Sequence, residues 1–237
     1  MLKESKKKGI LYIVPTPIGN LEDITLRALR VLKVCDLIAC EDTRKSLKLL
    51  SHFGISKSLI SFHSYNEHHK VEYIINKLLN GNEIALVSDA GMPCISDPGY
   101  ILVKLAIEKY IRIEVLPGAS ALITALIGSG LPVDGFVFCG FLKRKSGKIK
   151  KELSNLLNLK KTIIFYESPH RIIKTIGICE DVFGKNAKIC LAREITKKFE
   201  EFIRGSIEEI LESIKSKRDF LGEFVVLIYP EIKCQVE

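Results

Sequence analysis

Short apolar runs alternate with stretches in which apolar residues recur every three or four positions, and the alternation persists along nearly all of the 237-residue chain. Runs at 10–14, 37–40, 59–62, 84–87 and 112–116 predict strands. Ile24, Ala28, Leu29, Val31 and Leu32 fall at helical spacing, in a helix expected to start with Asn20 as its cap. Thr43 is read as the cap of a short helix closed by Gly54, and 66–79 as a helix stopped by Asn80-Gly81. Residues 99–109 predict a further helix, and Ser120 caps a small-residue helix ending near Gly128. Glycine and proline crowd the stretch 128–135, which sets the expected boundary between an N-terminal domain, 1–128, and a C-terminal domain, 129–237. In the second domain, 136–139, 162–166, 189–192 and 223–228 read as strands. Helices are expected at 147–158, from Ser168-Pro169 to 183, and at 206–216 with Ser206 as cap. Apolar strands alternating with amphipathic helices predict an α/β fold, with a largely parallel N-terminal sheet and flanking helices.

Composition narrows the class. A 47% hydrophobic content excludes disorder and collagen-like repeats, and the chain is long enough to bury a core without covalent staples. Lys and Arg exceed Asp and Glu by 36 to 28, so the charge of +8 suits a polyanionic partner or merely a lysine-rich surface. Seven cysteines at 35, 40, 94, 139, 179, 190 and 234 include no CxxC and lie mostly in apolar runs. They predict a reducing, cytoplasmic setting with neither disulfides nor a structural metal. Lys3, Lys6, Lys7 and Lys8 precede an apolar run, yet Pro15 and Pro17 interrupt it, so no secretory signal is expected. No stretch approaches the roughly 20 apolar residues of a membrane span.

Ligands of open α/β sheets bind beyond the carboxyl ends of the strands. That rule singles out 15–20, 41–44, 88–99 and 117–121, and 167–171 in the second domain. The first turn, Pro15-Thr-Pro-Ile-Gly-Asn20, carries neither GxGxxG nor GxxxxGK[ST]. Its two prolines lack N–H groups, which suits a ligand held by shape and carbonyls better than a phosphate; a rigid turn is the plain alternative. The long loop 88–99 holds Ser88, Asp89, Ser96 and Asp97, an acidic set fit for an amino group or a sulfonium. Glu41-Asp42-Thr43-Arg44 and Glu167 with His170 and Arg171 place acids beside basic groups at two strand ends. His63, His68 and His69 lack matching carboxylate spacing and are assigned no metal.

These segments, together with Arg-Glu-Ile-Thr-Lys at 193–197 and Gly-Glu-Phe-Val-Val at 222–226, resemble in order the ribosomal RNA small-subunit methyltransferase I group. That group is a branch of the tetrapyrrole-methylase superfamily, and the resemblance runs from about residue 10 to 229. It implies a two-domain tetrapyrrole-methylase-like α/β fold with a mixed C-terminal sheet. It also implies a homodimer, with S-adenosylmethionine (AdoMet) in the interdomain cleft. The implied reaction is methylation of the ribose 2′-oxygen of a cytidine in the decoding region of small-subunit ribosomal RNA. By correspondence with relatives, Thr16, Pro17, Ser88, Asp89, Met92, Ser120 and Ala121 are expected to line the cofactor site.

A ribose hydroxyl is a poor nucleophile until its proton is transferred, so a base is expected, with Glu167, His170 and Asp42 the candidates. Arg44, Arg171, Lys143, Arg144, Lys145 and Lys197 are the expected RNA contacts, and no metal is required. Two rivals stand beside this reading. One is a C-methyltransferase of a tetrapyrrole or corrin precursor, which would favour a GxGPGD first turn. The other is a non-catalytic RNA-binding protein that keeps only the fold.

Overall fold

Every residue of the strand Ile84–Val87 is buried, because helices cover both faces of the sheet that it centres. The computed structural model describes residues 7–215 and 220–230. Strands β1 (Ile10–Ile13), β2 (Leu37–Cys40), β3 (Leu59–Ser61), β4 (Ile84–Val87) and β5 (Arg112–Val115) form an all-parallel sheet ordered β3-β2-β4-β1-β5. Helices α1 (Leu26–Val34), α2 (Thr43–His52), α3 (Glu67–Leu79) and α4 (Tyr100–Glu108) flank it. Ala85 and Val87 join Tyr12, Val14 and the α1 residues Ala28, Val31 and Leu32 in one core. Ile84 and Leu86 join Leu11, Ile13 and residues of α3 and α4 in another. Burying each such Leu or Ile contributes about 1.5–3 kcal/mol, far more than helix propensity supplies, so the layers hold the helices. The chain leaves β1 for α1 on one face and β4 for α4 on the other. The two central loops therefore part at the carboxyl edge of the sheet, the usual ligand crevice of open α/β folds.

The described residues divide into two compact units after Ser120. In the second unit, α5 (Ala121–Ser129) packs against a mixed sheet of β6 (Phe136–Phe141), β7 (Thr162–Glu167), β8 (Lys188–Arg193), β9 (Glu201–Ser206) and β10 (Phe224–Tyr229). The order is β6-β7-β10-β8-β9; β6 and β7 run parallel and the other pairs antiparallel. Helices α6 (Ser146–Ser154), α7 (Ile172–Phe183) and α8 (Ile207–Lys215) share a core with Ile163, Phe165, Leu191 and Val226. The division precedes the boundary expected after residue 128, because the small-residue helix α5 lies on the second sheet.

Local differences have local causes. Asn20 accepts from Glu22 N and closes only the 3-10 turn Leu21–Asp23; Ile24 is extended, and Thr25 caps α1 through Ala28 N at 3.0 Å. Asp42, not Thr43, caps α2. Ser168 heads a single turn, and α7 begins at Ile172. Strand β9 stands where the sequence predicts none: as an edge strand it tolerates Glu201 and Arg204, which hide its apolar pattern. Ser206 and Glu209 exchange side chain–backbone bonds of 3.2 and 2.8 Å, a capping box at the start of α8. Lys3, Lys6, Cys234 and the expected end of the last helix at residue 216 lie outside the described residues. Among those described, no helix is long and apolar enough to cross a membrane, and no His, Cys, Asp and Glu cluster is placed to hold a metal ion.

Candidate active site

Thr16 and Gly91 exchange two backbone hydrogen bonds of 3.0 Å, joining the loop after β1 to the loop after β4. Pro15 and Pro17 have no N–H, so the one donor of this tripeptide is spent on Gly91. The buried Thr16 hydroxyl donates to Ser88 O at 3.2 Å, and the Ser88 hydroxyl donates to Gly91 O at 3.2 Å. Gly118 lies so close to Pro15 that an added Cβ would sit 2.7 Å from the proline Cβ. Asp89 accepts from Asp42 N at 2.9 Å and pairs with Lys45 at 2.8 Å, which ties the start of α2 to the same edge. The turns 15–20, 41–44, 88–99 and 117–120 are thus locked to one another through backbone and small side chains. Pro17 and Ser120 are half-buried at this edge, Ala121 opens α5, and Met92 packs its partly buried side chain on the α3–α4 core. The 88–99 loop carries two non-glycine residues in left-handed conformations, Cys94 (φ 70°) and Ser96 (φ 65°). Such strain persists only where the surroundings over-determine the backbone.

The electrostatics of the edge are anionic. Burial and the neighbouring Glu41 carboxylate push Asp97 up to about 6. Burial and then Asp89 raise Glu41 as well. Asp42 behaves oppositely: hydrogen bonds from the Arg44 guanidinium and N–H hold it far below the usual carboxylate range, making it a weak base. Arg44 in turn is committed to Asp42 at 2.7 Å while its side chain stays largely exposed. Asp97 and Glu41, raised by burial and by neighbouring carboxylates at this strand-end crevice, favour a cationic ligand.

In the second unit, Glu167 ends β7 and points into the core. Its carboxylate accepts from Ser168 N at 2.8 Å and the Thr175 hydroxyl at 2.7 Å, and pairs with Arg171 at 3.2 Å. Only 1% of that side chain is exposed, so its oxygens are engaged internally. Arg171 donates onward to the carbonyls of Leu142 (3.3 Å) and Lys143 (2.9 Å), and orders the turn between β6 and α6. His170 is exposed, as are Lys143, Arg144 and Lys145. Lys197 bridges Glu194 at 3.0 Å and Glu223 at 2.9 Å, so its charge is neutralised within the loop that sequence reading assigned to RNA.

Residues 10–211 match the family model described as Tetrapyrrole (Corrin/Porphyrin) Methylases. A protein of Halalkalibacterium halodurans named ribosomal RNA small subunit methyltransferase I is 48% identical over 221 residues, spanning 93% of this chain and 76% of that protein. The protein of that name from Mycoplasmopsis pulmonis is 47% identical over 219 residues, spanning 92% of this chain and 97% of the relative. This chain belongs to the ribosomal RNA small subunit methyltransferase I family of tetrapyrrole methylases. The fold agrees: uroporphyrin-III C-methyltransferase from Thermus thermophilus, solved with S-adenyl homocysteine, superposes with a TM-score of 0.63 at 17% identity, over 92% of this chain and 97% of the other.

Three residues of this family member escaped the sequence reading. Glu67 is buried and accepts from Gly99 N at 3.0 Å, anchoring the far end of the 88–99 loop. Its only sequence signal is an acid beginning a helix, which the helix dipole explains equally well. Lys45 reads as one exposed lysine of α2 until Asp89 is seen beside it. Phe141, 60% exposed at the end of β6, lies in the Gly140-Phe-Leu-Lys143-Arg-Lys segment but is given no role by the sequence.

Proposed function

We propose that this chain transfers the methyl group of AdoMet to the ribose 2′-hydroxyl of a cytidine in the decoding region of small-subunit ribosomal RNA. The observation that carries the cofactor part is the locked carboxyl edge of the first sheet, acidic and with a first turn in which Pro15 and Pro17 lack N–H groups and Thr16 N is spent on Gly91. AdoMet is a phosphate-free sulfonium with an amino group, so the residues present fit it. Thr16, Pro17, Ser88, Asp89, Met92, Ser120 and Ala121 are the residues proposed to hold it. The names of relatives 47–48% identical support the RNA acceptor.

When bound, the cofactor supplies a methyl group already activated on sulfur. The rigid turns hold the donor in one orientation, and alignment of oxygen, carbon and sulfur accounts for most of the effect expected of the protein. As the oxygen–carbon bond forms and the carbon–sulfur bond breaks, the hydroxyl proton must leave. Of the three expected bases, we favour His170, whose ring is exposed, over Asp42, held anionic by Arg44, and Glu167, engaged by three donors. Lys143, Arg144 and Lys145 are the proposed phosphate contacts. A homodimer working in the cytoplasm completes the reading; light scattering tests the dimer.

The direct test incubates the protein with labelled AdoMet and small ribosomal subunits lacking the modification, followed by mass spectrometry of the nucleosides. A 2′-O-methylcytidine from the decoding region is expected. No label in the RNA overturns the reading.

A further inference from the structure

Strand β6 is bulged where it meets the basic turn. Phe138 lies opposite Ile164 and Phe141 opposite Tyr166, so three steps along β6 span two along β7. Gly140, at φ 63°, supplies the left-handed residue that the extra step requires. Side chains alternate along a strand, so without the bulge Phe138 and Phe141 would face opposite sides. With it, both rings meet Tyr166 edge-on, at centroid distances of 5.0 and 5.4 Å. Phe141 nevertheless leaves 60% of its surface exposed, although an apolar ring gains by burial. Two residues later come Lys143, Arg144 and Lys145, all exposed, on a turn whose carbonyls at Leu142 and Lys143 are gripped by Arg171 and, behind it, Glu167.

We infer that the Phe141 face, backed by Phe138 and Tyr166, is a stacking site for one unpaired base of a single-stranded RNA segment whose phosphates lie along Lys143–Arg144–Lys145. Every base offers a π-face to an aromatic ring, and single strands are bound by such platforms beside basic tracks. The charge next to the rings selects a polyanion over an apolar partner. Glu167 and Arg171 then act as positioning residues that fix the basic turn relative to the rings. The inference rests on the RNA reading above and adds how the RNA is gripped.

The chain contains no tryptophan, so Phe141→Trp places a single indole at the proposed contact. The full-length variant is titrated with a single-stranded oligoribonucleotide of the decoding-region sequence and with the same sequence fully paired. Quenching by the single strand but not the duplex is expected. Phe141→Ala should weaken single-strand binding about tenfold without changing its salt dependence. Neutralising Lys143, Arg144 and Lys145 together should flatten that dependence by about 2 in the log–log slope. Unchanged emission with the single strand, or full affinity in Phe141→Ala, overturns the proposal. Dissociation of a dimer by Phe141→Ala also overturns it, and assigns the face to a second copy of the chain. Methylation of subunits by the unaltered protein is scored separately, so failure of the platform and failure of the RNA reading are told apart.

Discussion

The backbone N–H of Gly99 donates to the buried carboxylate of Glu67 at 3.0 Å, across 32 positions of sequence. Gly99 sits at φ 130°, and a Cβ there would lie 2.6 Å from Cys94 Sγ and 2.7 Å from Leu86 Cδ2. One buried side chain from α3 thereby fixes the end of the loop whose start is fixed by Thr16 and Gly91.

Glu67→Ala leaves that N–H buried without a partner, at a cost of about 1–3 kcal/mol. Denaturant unfolding should show that loss, and calorimetry should show weaker AdoMet binding as the loop relaxes. Glu67→Gln keeps a carbonyl acceptor and should restore most of both. If Glu67→Ala binds AdoMet as the parent does, the loop does not depend on this anchor.

Gly118→Ala tests the first turn. The residue is exposed, so the substitution looks harmless, yet the new methyl must displace Pro15 or the 117–120 turn. Overpacking of this kind costs about 1–3 kcal/mol. The larger expected effect is on the cofactor, with AdoMet affinity falling at least about tenfold, since a displacement near 1 Å spoils aligned contacts. Equilibrium dialysis with AdoMet checks it.

What was legible in the sequence was whatever depends on near neighbours. The unbroken apolar run of β4 announced a strand buried on both sides, and the strand-end rule found the four turns that the structure joins. What stayed hidden depends on partners far along the chain. The sequence offers Arg171 and Lys197 as phosphate contacts, and the carbonyls and carboxylates that they engage in the fold include partners too far along the chain for a sequence to show. Phe141 stayed hidden because a bulge reverses the alternation on which strand reading relies.

Asp97 makes the fold sensitive to pH. Its folded value, about 6, stands above its ordinary value of 3.8 because burial, and then Glu41, penalise the charged form. The folded state therefore holds the proton more tightly than the unfolded chain. Stability from this group is fully present below about pH 4 and is lost as pH rises through 6. Asp97→Asn removes the ionisation, so thermal melts should show the variant gaining on the parent between pH 4 and 7. With the group partly open to solvent, that gain is about 1 kcal/mol. A constant difference across that range would show that Asp97 ionises freely.

Lys197 and Lys145 offer the sharpest contrast between a charge spent inside the protein and one open to a partner. The Lys197 ammonium lies 3.0 Å from Glu194 and 2.9 Å from Glu223, and Glu194 also accepts from Glu223 N at 2.8 Å, so the lysine closes a small loop. Glu194 (φ 50°) and Thr196 (φ 63°) adopt left-handed conformations there, and the lysine helps to hold them. Lys197→Ala should lower stability by about 1 kcal/mol, since one of its partners is mostly exposed and contributes little. The slope of RNA affinity against salt should not change. Lys145→Ala should leave the melting temperature alone and reduce that slope by about 0.7–0.9, the release of one counterion. Filter binding across a salt series, paired with thermal melts of both variants, reads the two effects. A flattened slope in Lys197→Ala would mean that RNA pulls this lysine away from its carboxylates and that the loop opens on binding.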